Sequence, residues 1–223
     1  MKIKSKIINK FRRLVRPHDK FSFVSKLSPR SYIFDIGCGN DSPFHIKSIL
    51  PLSNYTGLDI GNYNQKSESF ADTYILTTPE YFSKEIQNFH CRFDAVISTH
   101  NLEHCNNRNA TLLAMLDAVK TGGQIYISFP CDKSINFPHR IETLNYYDDI
   151  SHIGLPPDYN QILEILLSKR FEIIYTVKYN KPFFDYIRAA LNENFSKIFR
   201  FNPKANWAYY GFESIIWARK LQN

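Results

Sequence analysis

Long apolar runs are missing from this chain of 223 residues: nowhere does it offer the ~18 consecutive apolar residues that a bilayer-spanning helix needs. A secretory leader with a clean apolar centre and a small-residue cleavage site is also missing, so the expected location is the cytoplasm. The four cysteines, Cys38, Cys91, Cys105 and Cys131, include no C-x-x-C pair and no regular spacing, which argues against a zinc knot or a disulfide framework and makes reduced thiols the expectation. No internal repeat or low-complexity segment appears. Acidic residues are absent before Asp19. Lys2, Lys4, Lys6, Lys10, Arg12, Arg13 and Arg16 supply seven cations there, and the other Lys and Arg residues balance the 21 acids, so the formal charge of +7 resides at the N-terminus. Because the positive charge does not recur with aromatic stacking residues along the rest of the chain, nucleic acid is not an expected partner.

Within that basic segment, Ile3, Ile7, Phe11, Leu14 and Val15 recur at helical spacing, which predicts an amphipathic helix over residues 1–17 with an apolar stripe beside a cationic face. Two readings stay open for it. Residues 1–16 can lie on an anionic membrane surface at its inner face, where each nearby basic side chain is worth ~1 kcal/mol, or the helix can pack on its own domain.

The remaining residues, 18–223, are 43% hydrophobic with the arm included, enough to bury one core, and their length suits a single domain with elaborations. Short β-type runs near 32–36, 55–59, 72–76, 93–98, 123–129, 171–178 and 211–219 are interleaved with helical patterns near 43–50, 79–88, 107–120 and 158–169. Such a βαβ succession predicts an α/β, Rossmann-like, mostly parallel seven-stranded sheet with helices on both faces and ligand sites beyond the carboxyl ends of the strands. The stretches 130–157 and 180–210 are too long for connectors and too aromatic for linkers, and are read as irregular insertions that build a pocket and its lid.

The most informative segment is Tyr32-Ile33-Phe34-Asp35-Ile36-Gly37-Cys38-Gly39-Asn40-Asp41, a strand that ends in a carboxylate and runs into a glycine turn. Gly37 and Gly39 let bare backbone approach a ligand, and a following helix points its amides at the same place. The third glycine of a dinucleotide fingerprint is replaced by Asn40, Asp41, Ser42 and Pro43, so a pyrophosphate is not the expected ligand. Tyr55-Thr56-Gly57-Leu58-Asp59-Ile60 follows, with Asp59 at the ~20-residue distance of a ribose-binding carboxylate. Phe93-Asp94-Ala95-Val96-Ile97-Ser98 then leads into Thr99-His100-Asn101-Leu102-Glu103-His104, and a further strand, Gly123-Gln124-Ile125-Tyr126-Ile127-Ser128-Phe129, follows the turn Lys120-Thr121-Gly122-Gly123 that closes a helix.

D-I-G-C-G, G-L-D, F-D-A-V-I-S-x-x-N-L-E-H and K-T-G-G, in this order over about residues 31–130, resemble the class I S-adenosylmethionine-dependent methyltransferases, most of all those of bacterial surface-polysaccharide gene clusters. The resemblance implies S-adenosyl-L-methionine as cofactor, a seventh strand inserted antiparallel beside the fifth, and a cofactor site at Asp35, Gly37, Cys38, Gly39, Asp59, Ile60, His100 and Asn101. Asp35 is expected at the methionine amino group and Asp59 at the ribose. Asp72 stays open between an adenine-binding acid and a solvated loop acid.

His100, Glu103 and His104 form H-x-x-E-H where the ubiquinone-biosynthesis O-methyltransferases, to which this part is similar, carry E-x-x-E-H and bind a divalent cation. His100 departs from that pattern, and replacing a carboxylate by imidazole turns the set away from magnesium. The expectation is a metal-free site with His104 or His100 as general base; the alternative is a cation held by His100, Glu103 and His104. A second cluster, residues 136–140 and 145–149 with His152, mixes aromatic faces and polar groups in the manner of a sugar site, with His139 or Asp149 as a further base and Arg140 for an acceptor phosphate or carboxylate.

Three functions remain in play: methylation of a sugar or glycan hydroxyl, with a sugar, nucleotide-sugar or lipid-linked glycan as substrate; methylation of a small metabolite such as a quinol or phenol, assisted by a metal; and a nucleotide-fold binding protein without turnover. The basic, aromatic stretch 180–210 reads as part of a membrane-facing surface, a lid, or the interface of a homodimer.

Overall fold

The computed structural model describes residues 15–39, 41–63, 70–141, 143–199 and 206–222. The amphipathic helix expected over residues 1–17 lies almost wholly outside them. In chain order the elements are α1 (Lys20–Val24), β1 (Tyr32–Ile36), α2 (Ser42–Ile49), β2 (Asn54–Asp59), β3 (Thr73–Leu76), α3 (Phe82–Gln87) and β4 (Phe93–Thr99). A 3-10 turn (Leu102–His104), α4 (Arg108–Ala118) and β5 (Val119–Pro130) follow, and then α5 (Tyr159–Ser168), β6 (Phe171–Val177), α6 (Phe183–Phe199), α7 (Asn206–Tyr210) and β7 (Glu213–Lys220).

The seven strands form one sheet in the order β3-β2-β1-β4-β5-β7-β6. Strands β1 to β5 pair in parallel, and β7 runs antiparallel between β5 and β6. The alternation of side chains along a strand divides the core in two. Phe34, Ile36, Val96, Ile125, Ile127 and Ile216 face one side, under Met115 of α4 and Leu166 of α5. Ile33, Ala95, Ile97, Tyr126, Ile215 and Trp217 face the other, under Phe23 of α1 and Ile46 of α2. Local chemistry sets the helix starts: the Asn107 side chain accepts from Ala110 N–H ahead of α4, and Asp158 accepts from Asn160 and Gln161 N–H ahead of α5.

Two expectations are corrected. Lys120–Gly123, read as a helix end and turn, is the irregular start of β5, with the pairing register shifting between Phe93 and Ala95. The stretch 180–210 is not irregular, because it holds the 17-residue helix α6 and the short α7. Its helical signal is masked in sequence because α6 buries Asp185, Ala189, Glu193 and Ser196 and turns its large apolar residues outward, the reverse of an ordinary surface helix.

Candidate active site

Strand β1 has β2 on one side and β4 on the other, so connections leave in opposite directions and open a crevice beyond their carboxyl ends. The cofactor residues expected from the sequence lie at or just beyond the carboxyl ends of β1, β2 and β4. Gly37 ends β1 at φ 73°, a left-handed conformation that costs an L side chain ~1–2 kcal/mol, and its N–H donates to Leu58 O at 2.8 Å. A Cβ on Gly37 would lie 2.7 Å from Asn101 Oδ1, so Asn101, donating from Nδ2 to Ser98 Oγ at 3.3 Å, closes directly over the bend.

Asp35 is fully buried. Its Oδ2 accepts from Ser42 Oγ and, at 2.9 Å, from the Tyr55 hydroxyl, whereas its Oδ1 has no partner among the described residues. A buried carboxylate oxygen left without a donor costs free energy, so a donor from a ligand or a water has a place here. Lys20, which the sequence reading missed, reaches from α1 and donates from Nζ to Ser42 Oγ at 3.0 Å and to Thr99 Oγ1 at 3.4 Å. Only the packing of α1 on this face of the sheet brings it there. Asp59 is nearly buried and accepts from Ile60 N–H at 2.8 Å. Burial pushes the Asp59 carboxyl above its usual range, with the charge of Asp35 adding to it and backbone N–H groups opposing it. The Cys38 side chain is sunk in the core, where a Cβ at Gly57 would come within 2.7 Å of its sulfur, so Cys38 offers the crevice its backbone rather than its thiol. Asp72 accepts from Lys47 Nζ and Tyr55 N–H, both at 2.7 Å, which makes it a tie between α2 and β2.

His100 follows β4 in a left-handed conformation, φ 49°, fixed by its N–H donating to Ser128 O at 2.9 Å. Its Nδ1 lies 3.1 Å from Glu103 Oε1 and its Nε2 3.3 Å from Glu213 Oε1, the latter an ion-pair distance without hydrogen-bond alignment. Burial alone would lower the His100 pKa, but the two carboxylates outweigh it and raise the pKa to about 10. His100 is therefore an imidazolium at neutral pH, and the general-base role expected for it is corrected: a ring already protonated cannot accept a proton. The linkage has a definite sign. A pKa raised from 6.5 to about 10 contributes stability that is complete below 6.5 and lost as pH rises through 10. Unfolding free energy is thus expected to fall across that window, and urea titrations of His100→Gln should show a flatter slope there; an unchanged slope would contradict the pairing.

The alternative cation set of His100, Glu103 and His104 changes, since His100 is turned into this clamp. Glu103, His104 and His152 instead each bring a ligand atom within 4.8 Å of the others. His104 Nδ1 lies 3.0 Å from Ser151 Oγ, which donates to Asp149 Oδ1 at 2.5 Å. With its own proton committed to Asp149, the Ser151 oxygen accepts from His104 Nδ1–H, and this leaves His104 Nε2 as the basic nitrogen. Burial opposes ionisation of Asp149, yet its bonds to Ser151 hold its pKa below the usual value, so it stays a carboxylate. His152, stacked on Tyr146 at 4.3 Å and donating to Tyr146 O at 2.5 Å, has its pKa lowered mainly by burial and is neutral.

The second polar cluster serves a different purpose from the one expected. His139 sits on the exterior, 71% exposed, against Asp148 Oδ1 at 2.7 Å. Asp148 Oδ2 accepts from the backbone of Arg140, Leu144 and Asn145, and Asn145 Nδ2 donates to Ile135 O and Phe137 O. An irregular segment has no ladder for its backbone groups, so these side chains satisfy them instead. Arg140 is buried and bidentate on Glu193 of α6, at 3.1 and 2.6 Å, so it is not free for an acceptor anion. Arg108, also missed, fastens the loop by donating to Leu102 O, Glu103 O, Ile153 O and Leu155 O.

A cavity of about 570 Å³ opens beside this centre, within the usual size of a small-molecule site. Arg16, Asp19, Tyr175, Tyr179, Trp207 and Glu213 are among its walls, and none of its lining comes from residues 130–157. Trp207 joins it to the centre, with its ring 5.0 Å from that of His100.

Among solved structures, the fold is shared with an S-adenosylmethionine-dependent methyltransferase of Archaeoglobus fulgidus, at 18% identity and a TM-score of 0.52 over 97% of this chain and 94% of that one. The Haemonchus contortus phosphoethanolamine N-methyltransferase 2 in complex with S-adenosylmethionine is similar at 16% identity and TM-score 0.59, over 90% of this chain and 51% of that one. The [4+2]-cyclase SpnF is similar at 17% identity and TM-score 0.55, over 96% and 81%. An uncharacterized protein of Methanocaldococcus jannaschii is 32% identical over 120 residues, half of this chain, which spans 32% of that relative's length. The methyltransferase domain family matches residues 8–164, a segment that holds the crevice, the His100 turn and the His104–Ser151–Asp149 chain. With its fold that of S-adenosylmethionine-dependent methyltransferases, this chain belongs to the methyltransferase domain family.

Proposed function

We propose that the chain transfers a methyl group from S-adenosylmethionine to a hydroxyl of a sugar or glycan, acting on the cytoplasmic side of the membrane as the likeness to polysaccharide-cluster enzymes suggests. The observation that carries the cofactor half is Asp35, buried at the end of β1 with Oδ1 unpartnered. An ammonium group satisfies such an oxygen best, and the amino group of the methionine part provides one. Lys20 Nζ, beside Ser42 and Thr99, suits the carboxylate of the same part. Asp59 would accept the ribose hydroxyls, whose donors offset the burial that raises its pKa. Asn101 and the backbone at Gly37 and Gly39 would bound the space between.

When bound, the sulfonium supplies an electrophilic methyl and a good leaving group. The chain's residues then have to align the acceptor and remove its proton. His104 is suited to the second task, because Ser151 and Asp149 keep the proton on Nδ1 and leave Nε2 basic. The aromatic faces of Tyr175, Tyr179 and Trp207, mixed with Arg16, Asp19 and Glu213, favour a polyhydroxyl acceptor in the neighbouring cavity.

The grouping of Glu103, His104 and His152 favours a second reading, a cation-assisted enzyme acting on a quinol or phenol. Labelled methyl donor offered with nucleotide-sugars, lipid-linked glycans and quinols, with and without chelator, separates the readings. Label in the sugar or glycan fraction, indifferent to chelator, is the expected result. Label confined to quinols and lost with chelator would replace the first reading by the second, and binding of S-adenosylhomocysteine without transfer to any acceptor would leave a binding protein.

A further inference from the structure

We infer that the outward face of α6 is a docking surface for an anionic lipid bilayer. The helix is inverted. Asp185, Ala189, Glu193 and Ser196, at steps of four, four and three, point into the protein. Phe184, Ile187, Leu191, Phe195 and Ile198, at steps of three, four, four and three, point out, with Leu191 75% and Ile198 73% exposed. Inward polarity is held by specific partners rather than tolerated. Asp185 Oδ2 takes Arg16 Nε at 2.5 Å and its Oδ1 takes Arg188 at 3.1 Å; Glu193 takes Arg140, the Tyr210 hydroxyl at 2.5 Å and Asn206 Nδ2 at 3.0 Å. These contacts fix the rotation of the helix, so the exposed apolar row follows from the fold and not from a loosely seated element.

Charge identifies the occupant. Both acids of α6 are buried and paired, which leaves its exposed side with apolar side chains, the amides of Asn192 and Asn194, and two cations, Lys197 and the largely exposed Arg188 that also bonds Asp185, but no carboxylate. A second copy of that face would bring cation against cation. The chain's own residues 1–14 carry six Lys and Arg and no acid, so they offer those cations no complement either. Apolar side chains flanked by cations, without acids, match an interface of acyl chains beneath anionic headgroups. The position fits as well: Phe183 and Phe184 line the 570 Å³ cavity and Phe184 begins the apolar row, so the cavity borders the proposed lipid surface. An acceptor carried on a lipid would reach the cavity without leaving the surface.

The test uses the full chain without cofactor, cosedimented with vesicles of phosphatidylcholine or of phosphatidylcholine and phosphatidylglycerol in equal parts. Binding to the mixed vesicles is expected, with L191Q/F195Q weakening it by at least about tenfold while the unfolding temperature and S-adenosylhomocysteine affinity stay unchanged. Three results would overturn the inference: no binding to either vesicle, undiminished binding by the double variant when deletion of residues 1–14 abolishes it, or a fall in native mass from dimer to monomer in the double variant, which would make a second copy the occupant. Because the readout is lipid binding alone, failure here leaves the methyltransferase reading intact, and failure of cofactor binding leaves this one intact.

Discussion

Asp35→Asn is expected to weaken S-adenosylhomocysteine binding by roughly 10- to 150-fold, the equivalent of ~1.5–3 kcal/mol for a hydrogen bond to a charged group, while leaving the unliganded protein no less stable. The two effects separate because of how the side chain is held. Ser42 and Tyr55 both donate to Oδ2, and the asparagine carbonyl can accept from both. The substituted amide then places N–H groups where Oδ1 now stands without a donor, which repels an ammonium but removes a buried, half-satisfied charge. Calorimetry of ligand binding, paired with thermal unfolding of the apo protein, reads both quantities. If affinity is kept, or if stability and affinity fall together, Asp35 is a structural member of the β1 end and not a ligand residue.

Arg140→Ala is expected to destabilise the protein by about 3–5 kcal/mol, the range for removing one partner of a buried ion pair. Glu193 would then be left buried with only the Tyr210 hydroxyl and Asn206, which cannot neutralise it. Replacing the pair by apolar residues, Arg140→Met with Glu193→Leu, is expected to recover much of that loss, because the cost lies in the orphaned charge more than in the missing contact. Urea unfolding of the three proteins tests this, and equal stability of Arg140→Ala and the parent would show that the network does not fasten α6. Since the pair joins residues 130–157 to the helix that opens the cavity, the single variant should also become more open to proteolysis near residue 140.

The sheet was legible because each strand carries its own period: Ile33 and Phe34, or Ile125 and Tyr126, alternate between the two cores as their order in sequence implies. The candidate cofactor residues were legible for the same reason of locality, since Asp35, Gly37 and Gly39 lie within five residues and Asp59 closes the next strand. What lay beyond reading depends on partners distant in the chain. The charge state of His100 is set by Glu103, three residues on, together with Glu213, which only the antiparallel insertion of β7 beside β5 brings within 3.3 Å. The tautomer of His104 is set by Ser151, and the position of Lys20 by the packing of α1. Helix α6 misled for a different cause, its polarity being opposite to the rule that assigns apolar faces to the core. Arg140 and Asp148 looked like groups for a ligand because an irregular loop that must satisfy its own backbone draws on the same residue types as a sugar site.

The most direct measurement is a crystal structure of the chain with S-adenosylhomocysteine. The amino group is expected on Asp35 Oδ1, the carboxylate near Lys20, the ribose hydroxyls on Asp59 and the sulfur facing the turn of His100 and His104. Density for the ligand elsewhere, or a crevice beyond β1 and β2 that stays closed to it at saturating concentration, would contradict the assignment of this site.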